Sequence, residues 1–206
     1  MRTAALILAA GAGSRLAESG ADVAAKPLLE WNGRTLVEAA LAAARDGGCA
    51  PVLLVVGNAG DAVARRAGSD VRVVVARDWA DGISASLRAG LAALEGEPVE
   101  AVCVGLADQP RVGPGAYERL AEVADLVPDA PVAVAVYGGV RGNPVLLRRA
   151  VWAEAMALTG DEGARRLMGE HTVVEVDCTG TGDPADVDTL ADLQALDDPV
   201  AAPEER

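Results

Sequence analysis

The chain has no phenylalanine, and its aromatic residues are three tryptophans and two tyrosines. A core without Phe has to be close-packed from small aliphatic side chains, which suits helices lying tightly on a sheet. There is a single histidine, His171. That argues against a Ser-His-Asp hydrolase, and at the start of an expected strand His171 reads as structural. The three cysteines, Cys49, Cys103 and Cys178, are odd in number and far apart, with no C-x-x-C pair and no Cys/His cluster for zinc. They fit a reduced, cytoplasmic protein in which they act as buried small apolar residues. No apolar run approaches the roughly 20 residues of a membrane-spanning helix. A basic excess is missing too: the formal charge of −13 argues against binding nucleic acid or an anionic membrane. If such a chain handles phosphates, it must place cations locally and is expected to use a divalent metal. No signal-peptide cleavage pattern follows the N-terminus, so Arg2–Ala10 is read as a strand.

What is present is a composition 51% apolar, dominated by Ala, Val and Leu, which excludes disorder. A length of 206 residues allows one substantial core. With no internal repeat and no linker, residues 1–198 are expected to form one domain and 199–206 a frayed tail. Apolar strand-like runs alternate with amphipathic helical ones. Strands are expected at Arg2–Ala10, Pro51–Val56, Val71–Val75, Ala101–Leu106, Val132–Tyr137 and His171–Asp177. Helices are expected at Thr35–Asp46, Asp61–Ala67, Ser84–Leu94 and Gly115–Leu126. Between Tyr137 and Val145 the run Gly138–Pro144 reads as a glycine-rich turn. Two helical pieces follow, split by Thr159–Gly163, and a last helix runs from a cap at Asp188 to about Leu196. Repeated strand–helix alternation indicates an α/β fold with a mostly parallel sheet covered on both faces.

The first strand leads into Gly11-Ala12-Gly13-Ser14-Arg15. Glycines let a backbone turn sharply and approach a ligand, its amides suit phosphate oxygens, and Arg15 adds a charged fork. Lys26-Pro27-Leu28-Leu29 brings a second cation. A dinucleotide fingerprint is excluded because Leu16 stands where its third glycine belongs, and the second strand ends in Gly57-Asn58 rather than an acid. A Walker loop is excluded because Gly13-Ser14-Arg15 replaces its Gly-Lys-Ser/Thr ending. A nucleoside-triphosphate site and a plain structural turn both remain open on this loop alone. In open parallel sheets, ligands bind beyond the carboxyl ends of the strands. That rule gathers Gly11–Arg15, Gly57-Asn58, Trp79–Ser86 and Asp108 on one rim, with Trp79 packing beside the loop.

Seven short stretches then resemble, in order, the MobA-like nucleotidyltransferases, and among them the molybdenum-cofactor cytidylyltransferases. They are Leu8-Ala9-Ala10-Gly11 with Gly13-Ser14-Arg15, Lys26–Leu29, Trp79–Gly90, Leu106–Pro110, Arg141–Val145, Gly160–Arg165 and Asp186–Thr189. The resemblance runs from about Leu6 to Leu196. It implies a three-layer, Rossmann-like nucleotidyltransferase fold, of the nucleotide-diphospho-sugar transferase type. It also implies transfer of a nucleoside monophosphate to an acceptor phosphate with loss of pyrophosphate. By the same resemblance Leu8, Ala9, Ala10, Gly11, Gly13, Ser14, Arg15, Lys26, Gly57, Gly82, Ser84 and Ser86 bind the nucleotide. Arg15, Lys26 and Asp108 form the reaction centre. Asp108, with Asp186 or Asp188, holds Mg²⁺, and Asp186 is the preferred partner. Arg141, Gly142, Asn143 and Arg165 face the acceptor.

Ala9-Ala10-Gly11 resembles the cytidylyl branch, whereas guanylyl members resemble Leu-Ala-Gly-Gly, so CTP is the expected donor. The acceptor is expected to be the molybdopterin cofactor, and the partner a molybdenum hydroxylase apoenzyme. The stretch Leu16–Ala25 is longer than in relatives and is similar in length to that of sugar-phosphate nucleotidyltransferases, which stay open as an alternative beside a guanylyltransferase and a non-catalytic cofactor-delivery module. The chemistry suits the residues. Nucleotidyl transfer depends mainly on positioning and charge neutralisation, an anionic acceptor phosphate needs no general base, and Mg²⁺ takes one or two carboxylates plus waters and phosphates. Simpler roles stand beside these: a turn cap for Asp108, a solvated lysine for Lys26, a helix N-cap for Asp188, and ordinary turns at Gly138–Pro144 and Gly160–Arg165.

Overall fold

The structure, a computed structural model, describes residues 2–11, 25–57 and 59–196. Seven strands form one sheet: β1 (Thr3–Ala9), β4 (Val52–Val56), β5 (Val71–Val75), β6 (Ala101–Leu106), β7 (Val132–Tyr137), β8 (Val140–Arg148) and β9 (Val173–Asp177). Their order is β5-β4-β1-β6-β8-β7-β9. All neighbours are parallel except those of β8, which runs antiparallel to both β6 and β7. The run Val52-Leu53-Leu54-Val55-Val56 is buried throughout, as expected of a strand covered on both faces.

Alternate residues feed two cores. Ala5, Ile7 and Ala9 pack with helices α1 (Leu36–Asp46) and α4 (Pro114–Leu126). Ala4, Leu6 and Leu8 pack on the other side with α3 (Ile83–Ala92) and α5 (Trp152–Ala157). The remaining α-helices among the described residues are α2 (Gly60–Ala64) and α6 (Leu190–Ala195). All three cysteines are buried and free. Burial and a hydrogen bond to Cys49, the larger cause, push the Cys103 thiol well above its ordinary value, so these groups pack as inert apolar residues. Among the described residues no helix is long and apolar enough to cross a membrane.

Three departures from the sequence reading matter for the site. The glycine-rich run does not form a seven-residue turn. Only Gly138 and Gly139, both at positive φ, make the turn, and Val140–Pro144 already belongs to β8. Pairing with β7 at Val140 and Arg141, and with β6 and β7 from Val145 onward, carries the strand through Gly142-Asn143-Pro144, where the β7 register shifts. Second, α6 is capped by Thr189, whose hydroxyl accepts from the Asp192 amide while Asp192 accepts from the Thr189 amide. Asp188 is therefore released for other work. Third, a small hairpin of β2 (Glu30–Trp31) and β3 (Arg34–Thr35) turns on Asn32-Gly33, both at positive φ. The Asn-Gly pair is a strong hairpin signal that the helix reading passed over. The residue count of the last strand also shortens: it opens at Val173, and His171 instead pairs its Nε2 with Glu154 Oε2 at 2.6 Å.

Candidate functional site

Strands step outward from β1 to β4 and β5 on one side and to β6 and β8 on the other. The carboxyl ends of β1 and β6 thus flank the point where the winding direction switches, which is where such sheets open a crevice. The crevice has two lobes. One, a cavity of about 330 Å³, is lined by Leu8, Ala10, Gly11, Trp79, Gly82, Ser86 and Asp108 among others. The second, about 240 Å³, is lined by Gln109, Asn143, Arg165 and Asp186 over an apolar floor including Val104 and Ala164. Leu8, Ile83, Leu106 and Asp161 line both.

Backbone proximity builds the first lobe. Gly57 ends β4 so close to Trp79 that a Cβ there would stand 2.5 Å from the Trp79 Cβ and 2.9 Å from that of Ala10; the missing side chain is what lets the indole rest against the strand ends. Gly82 has φ +104, and a Cβ on it would meet the Gly160 carbonyl at 2.3 Å. With the Ser84 amide donating to Gly160 O at 3.2 Å, the start of α3 is fastened to the 160–163 loop. That contact makes Asp161 a wall of both lobes.

At the mouth of the crevice, the Lys26 ammonium donates to Asp108 Oδ2 and to Asp188 Oδ1, both at 2.6 Å. Burial works against its charge, yet the two carboxylates outweigh that cost and raise its pKa. The three residues come from distant parts of the chain and are held by two devices. Leu29 and Leu36 pack with Val187 and Leu196, docking the C-terminal segment on the residues after Lys26. The Val187 amide donates to Asp108 O at 2.9 Å. Asp186, by contrast, takes 2.7 Å hydrogen bonding from Gln109 Nε2. Burial, then the neighbouring Asp108 charge, raises its pKa, against the Gln109 hydrogen bond.

A divalent cation fits this donor set. Among the described residues Asp108 Oδ1 is buried without a hydrogen-bond partner, an unusual condition for a carboxylate oxygen, and Asp188 shares a cation with Asp108. Among the described residues no group of three or more metal-capable side chains converges, but a Mg²⁺-type ion needs only one or two carboxylates when phosphates and water complete its shell.

The expected site residues distribute as follows. Leu8, Ala10, Gly11, Gly82, Ser86 and Asp108 line the first lobe, and Asn143, Arg165 and Asp186 the second. Ala9 faces the α1/α4 core. Ser84 is fully buried in α3 and lines neither lobe. Arg141 pairs with Glu175 at 2.7 Å on the exposed part of the sheet, away from both lobes. Gly142 lies beneath Pro184 and the Tyr137 ring. Gly13, Ser14, Arg15, Asn58 and the stretch 12–24 lie outside the described residues, as does the tail 197–206. Sequence reading missed Gln109, Asp161, Ile83 and Leu106 as lining residues, and gave Trp79 only a packing role. Each sits inside or beside a stretch singled out for its neighbours, so adjacency to Asp108 and Gly160 was the available signal.

The comparisons agree with this geometry. A sequence profile described as the MobA-like NTP transferase domain matches residues 5–176. Nicotine blue oxidoreductase of Paenarthrobacter nicotinovorans is 34% identical over 204 residues, covering 93% of this chain and 94% of that protein. The crystal structure of Rv0371c from Mycobacterium tuberculosis H37Rv is 32% identical, with a TM-score of 0.78 over 95% of this chain and 97% of that one. A manganese complex of Rv0371c aligns at 31% identity, with the same TM-score, over 95% of this chain and 98% of its own. With an α/β fold, a mostly parallel sheet and a crevice at the switch point, the chain belongs to the MobA-like NTP transferase family of nucleotidyltransferases.

Proposed function

We propose that the protein transfers CMP from CTP to the phosphate of a molybdopterin cofactor, releasing pyrophosphate with the help of Mg²⁺. The observation that carries this reading is the Lys26–Asp108–Asp188 cluster, whose Asp108 lines the first lobe of a two-lobed crevice. The first lobe takes the nucleotide. Ala10 and Gly11 present backbone at the end of β1, Trp79 offers a flat wall for the base, and Ser86 offers a hydroxyl. Arg15, with Gly13 and Ser14, adds the triphosphate loop assigned by resemblance. Asp108 and Asp188 are the carboxylates to hold the metal, which when bound neutralises triphosphate charge and polarises the phosphoryl oxygens.

Lys26 then turns from the carboxylates to the phosphates, so the charge that builds on the α-phosphate and pyrophosphate is met by a group already in place. The second lobe takes the acceptor: its apolar floor suits a planar ring, with Arg165 near the acceptor phosphate and Asn143 on the wall. The acceptor phosphate is anionic and attacks without a general base, in keeping with a site whose ionisable groups are all aspartate, lysine and arginine. Ala9-Ala10-Gly11 supports CTP over GTP. Three buried free thiols favour a reducing compartment, the cytoplasm, where a molybdenum hydroxylase apoenzyme would receive the product.

The name of one relative favours a second reading. A protein called an oxidoreductase shares 34% of its residues with this chain, so the same crevice can be read as holding a nucleotide-borne hydride donor beside a planar substrate. The deciding experiment is calorimetry with Mg²⁺ and CTP, GTP, UTP, ATP, dTTP or NADPH in parallel, followed by pyrophosphate release with molybdopterin cofactor. CTP preference with acceptor-dependent pyrophosphate release is the expected result. NADPH binding without triphosphate binding would overturn the transferase reading, and CTP binding without pyrophosphate release would leave a delivery module.

A further inference from the structure

The second lobe contains a buried amide, Gln109, next in sequence to Asp108 and only 3% exposed. Its Nε2 donates to Asp186 Oδ1 and to Pro184 O, each at 2.7 Å. Its Oε1 accepts from Asn143 Nδ2 at 2.9 Å. Asn143 is 7% exposed, and its backbone carbonyl accepts from the Tyr137 hydroxyl at 2.8 Å. The direction of this chain is forced. On one side Gln109 meets two oxygens that can only accept, and on the other an amide N–H₂; turning its amide over would lose three bonds and oppose oxygen to oxygen.

Gln109 therefore supplies Asp186 with a donor that carries no charge. Had a lysine or arginine stood there, its charge would have been spent on Asp186; the neutral amide fixes the orientation of that carboxylate without placing a cation against it. Asp186, Gln109 and Asn143 line the second lobe with Arg165, whereas Asp108 lines the first. Asp108 and Asp188 share Lys26, and Asp186 does not.

We propose that Gln109 is a positioning residue that fixes the Asp186 carboxylate in the second lobe, where Asp186 contacts the acceptor through a donor group of its ring or side chain. This rests on the transferase reading given above and goes beyond it in assigning Asp186 to the acceptor and Gln109 to Asp186.

The test uses Q109M, D186N, Q109M/D186N and Q109E/D186N, with CTP and molybdopterin cofactor varied separately. Q109M is expected to raise the acceptor KM about 10-fold or more, the effect of stranding buried polar groups, while the CTP KM stays within about twofold. In the D186N background, Q109M is expected to add little further, because its effect passes through Asp186. Q109E/D186N reverses the donor and acceptor between positions 109 and 186 but sets an oxygen against the Pro184 carbonyl, so it should not recover the acceptor KM. The proposal is overturned if Q109M shifts both KM values equally, if its effect multiplies in full with that of D186N, or if Q109E/D186N restores the acceptor KM. Wild-type protein that transfers no nucleotide would overturn the underlying reading, and the proposal with it, a result distinct from all three.

Discussion

The two lobes of the crevice are built by different means. The first sets the small residues Ala10, Gly11, Ala80, Gly82 and Ser86 beside Trp79 and Asp108, with close backbone approaches at Gly57 and Gly82. The second is lined by side chains from β8, the 160–165 loop, the Leu106–Gln109 corner and the acidic segment at Asp186. In the first, local conformation makes the surface. In the second, buried amides hold side chains that the chain brings together from positions up to 77 residues apart. Where backbones approach closely, as at Gly57 and Gly82, the first lobe is broken by adding a Cβ; the amide-held second lobe is broken by removing one hydrogen-bonding atom.

The largest expected effect falls on Asp108, which lines the first lobe. Asp108→Asn should lower kcat/KM by about 10³-fold or more, comparable to losing a preorganised charge at a reaction centre, with steady-state pyrophosphate release as the measurement. Near-normal turnover would remove Asp108 from the site. Lys26→Met should cost about 100-fold in turnover. In the same variant, manganese binding without nucleotide, followed by electron paramagnetic resonance, should tighten, because the ammonium that bridges Asp108 and Asp188 competes with the metal. Weaker manganese binding would contradict that displacement.

Adding a Cβ sharpens the comparison further. Gly82→Ala puts a methyl 2.3 Å from the Gly160 backbone at a φ of +104, so urea unfolding should show a loss of about 2 kcal/mol or more. Both CTP and acceptor binding should weaken, since this contact carries the wall the lobes share. An effect confined to CTP would mean that the 160–163 loop does not depend on it.

The smallest effect serves as the control outside both lobes. Thr35→Ala removes the capping box of α1 and should cost about 1 kcal/mol, with both KM values unchanged. The Thr35 amide, which the variant keeps, is the main reason Glu38 has a lowered pKa, and the Thr35 hydroxyl, which it loses, donates to the same carboxylate and lowers it further. A carboxyl lowered on folding stabilises above its unfolded value and loses that contribution as pH falls through the folded one. The difference between wild type and Thr35→Ala should accordingly shrink below about pH 4.

Legibility from sequence followed the same division. β1, β4, β5 and β6 were readable because each is a short apolar run ending in a turn signal, and the rim they define followed from the rule that ligands gather at strand carboxyl ends. Lys26, Asp108 and the Gly82–Ser86 segment were legible as stretches. The extent of β8 was not: Arg141-Gly142-Asn143-Pro144 has the residues of a turn, and only pairing with β7 at Val140 and Arg141 and with β6 and β7 from Val145 onward makes it part of a strand. The sequence favoured Asp186 over Asp188 beside Asp108; the contact of Val187 with Leu29, Leu36 and Leu196 instead goes with Asp188 toward Lys26 and Asp186 toward Gln109.

What the sequence by itself determined was the class of the protein: an α/β sheet covered on both faces, a glycine exit from the first strand, and cations and aspartates in the order of a nucleotidyltransferase. Those properties are local, because periodicity, turn chemistry and motif order are set within a few residues. Only the tertiary structure decided which acid meets which partner. Asp108 shares Lys26 with Asp188 and leaves Asp186 to Gln109, a pairing set by how the C-terminal segment docks across the sheet, and no local propensity encodes a contact between residues 26 and 188.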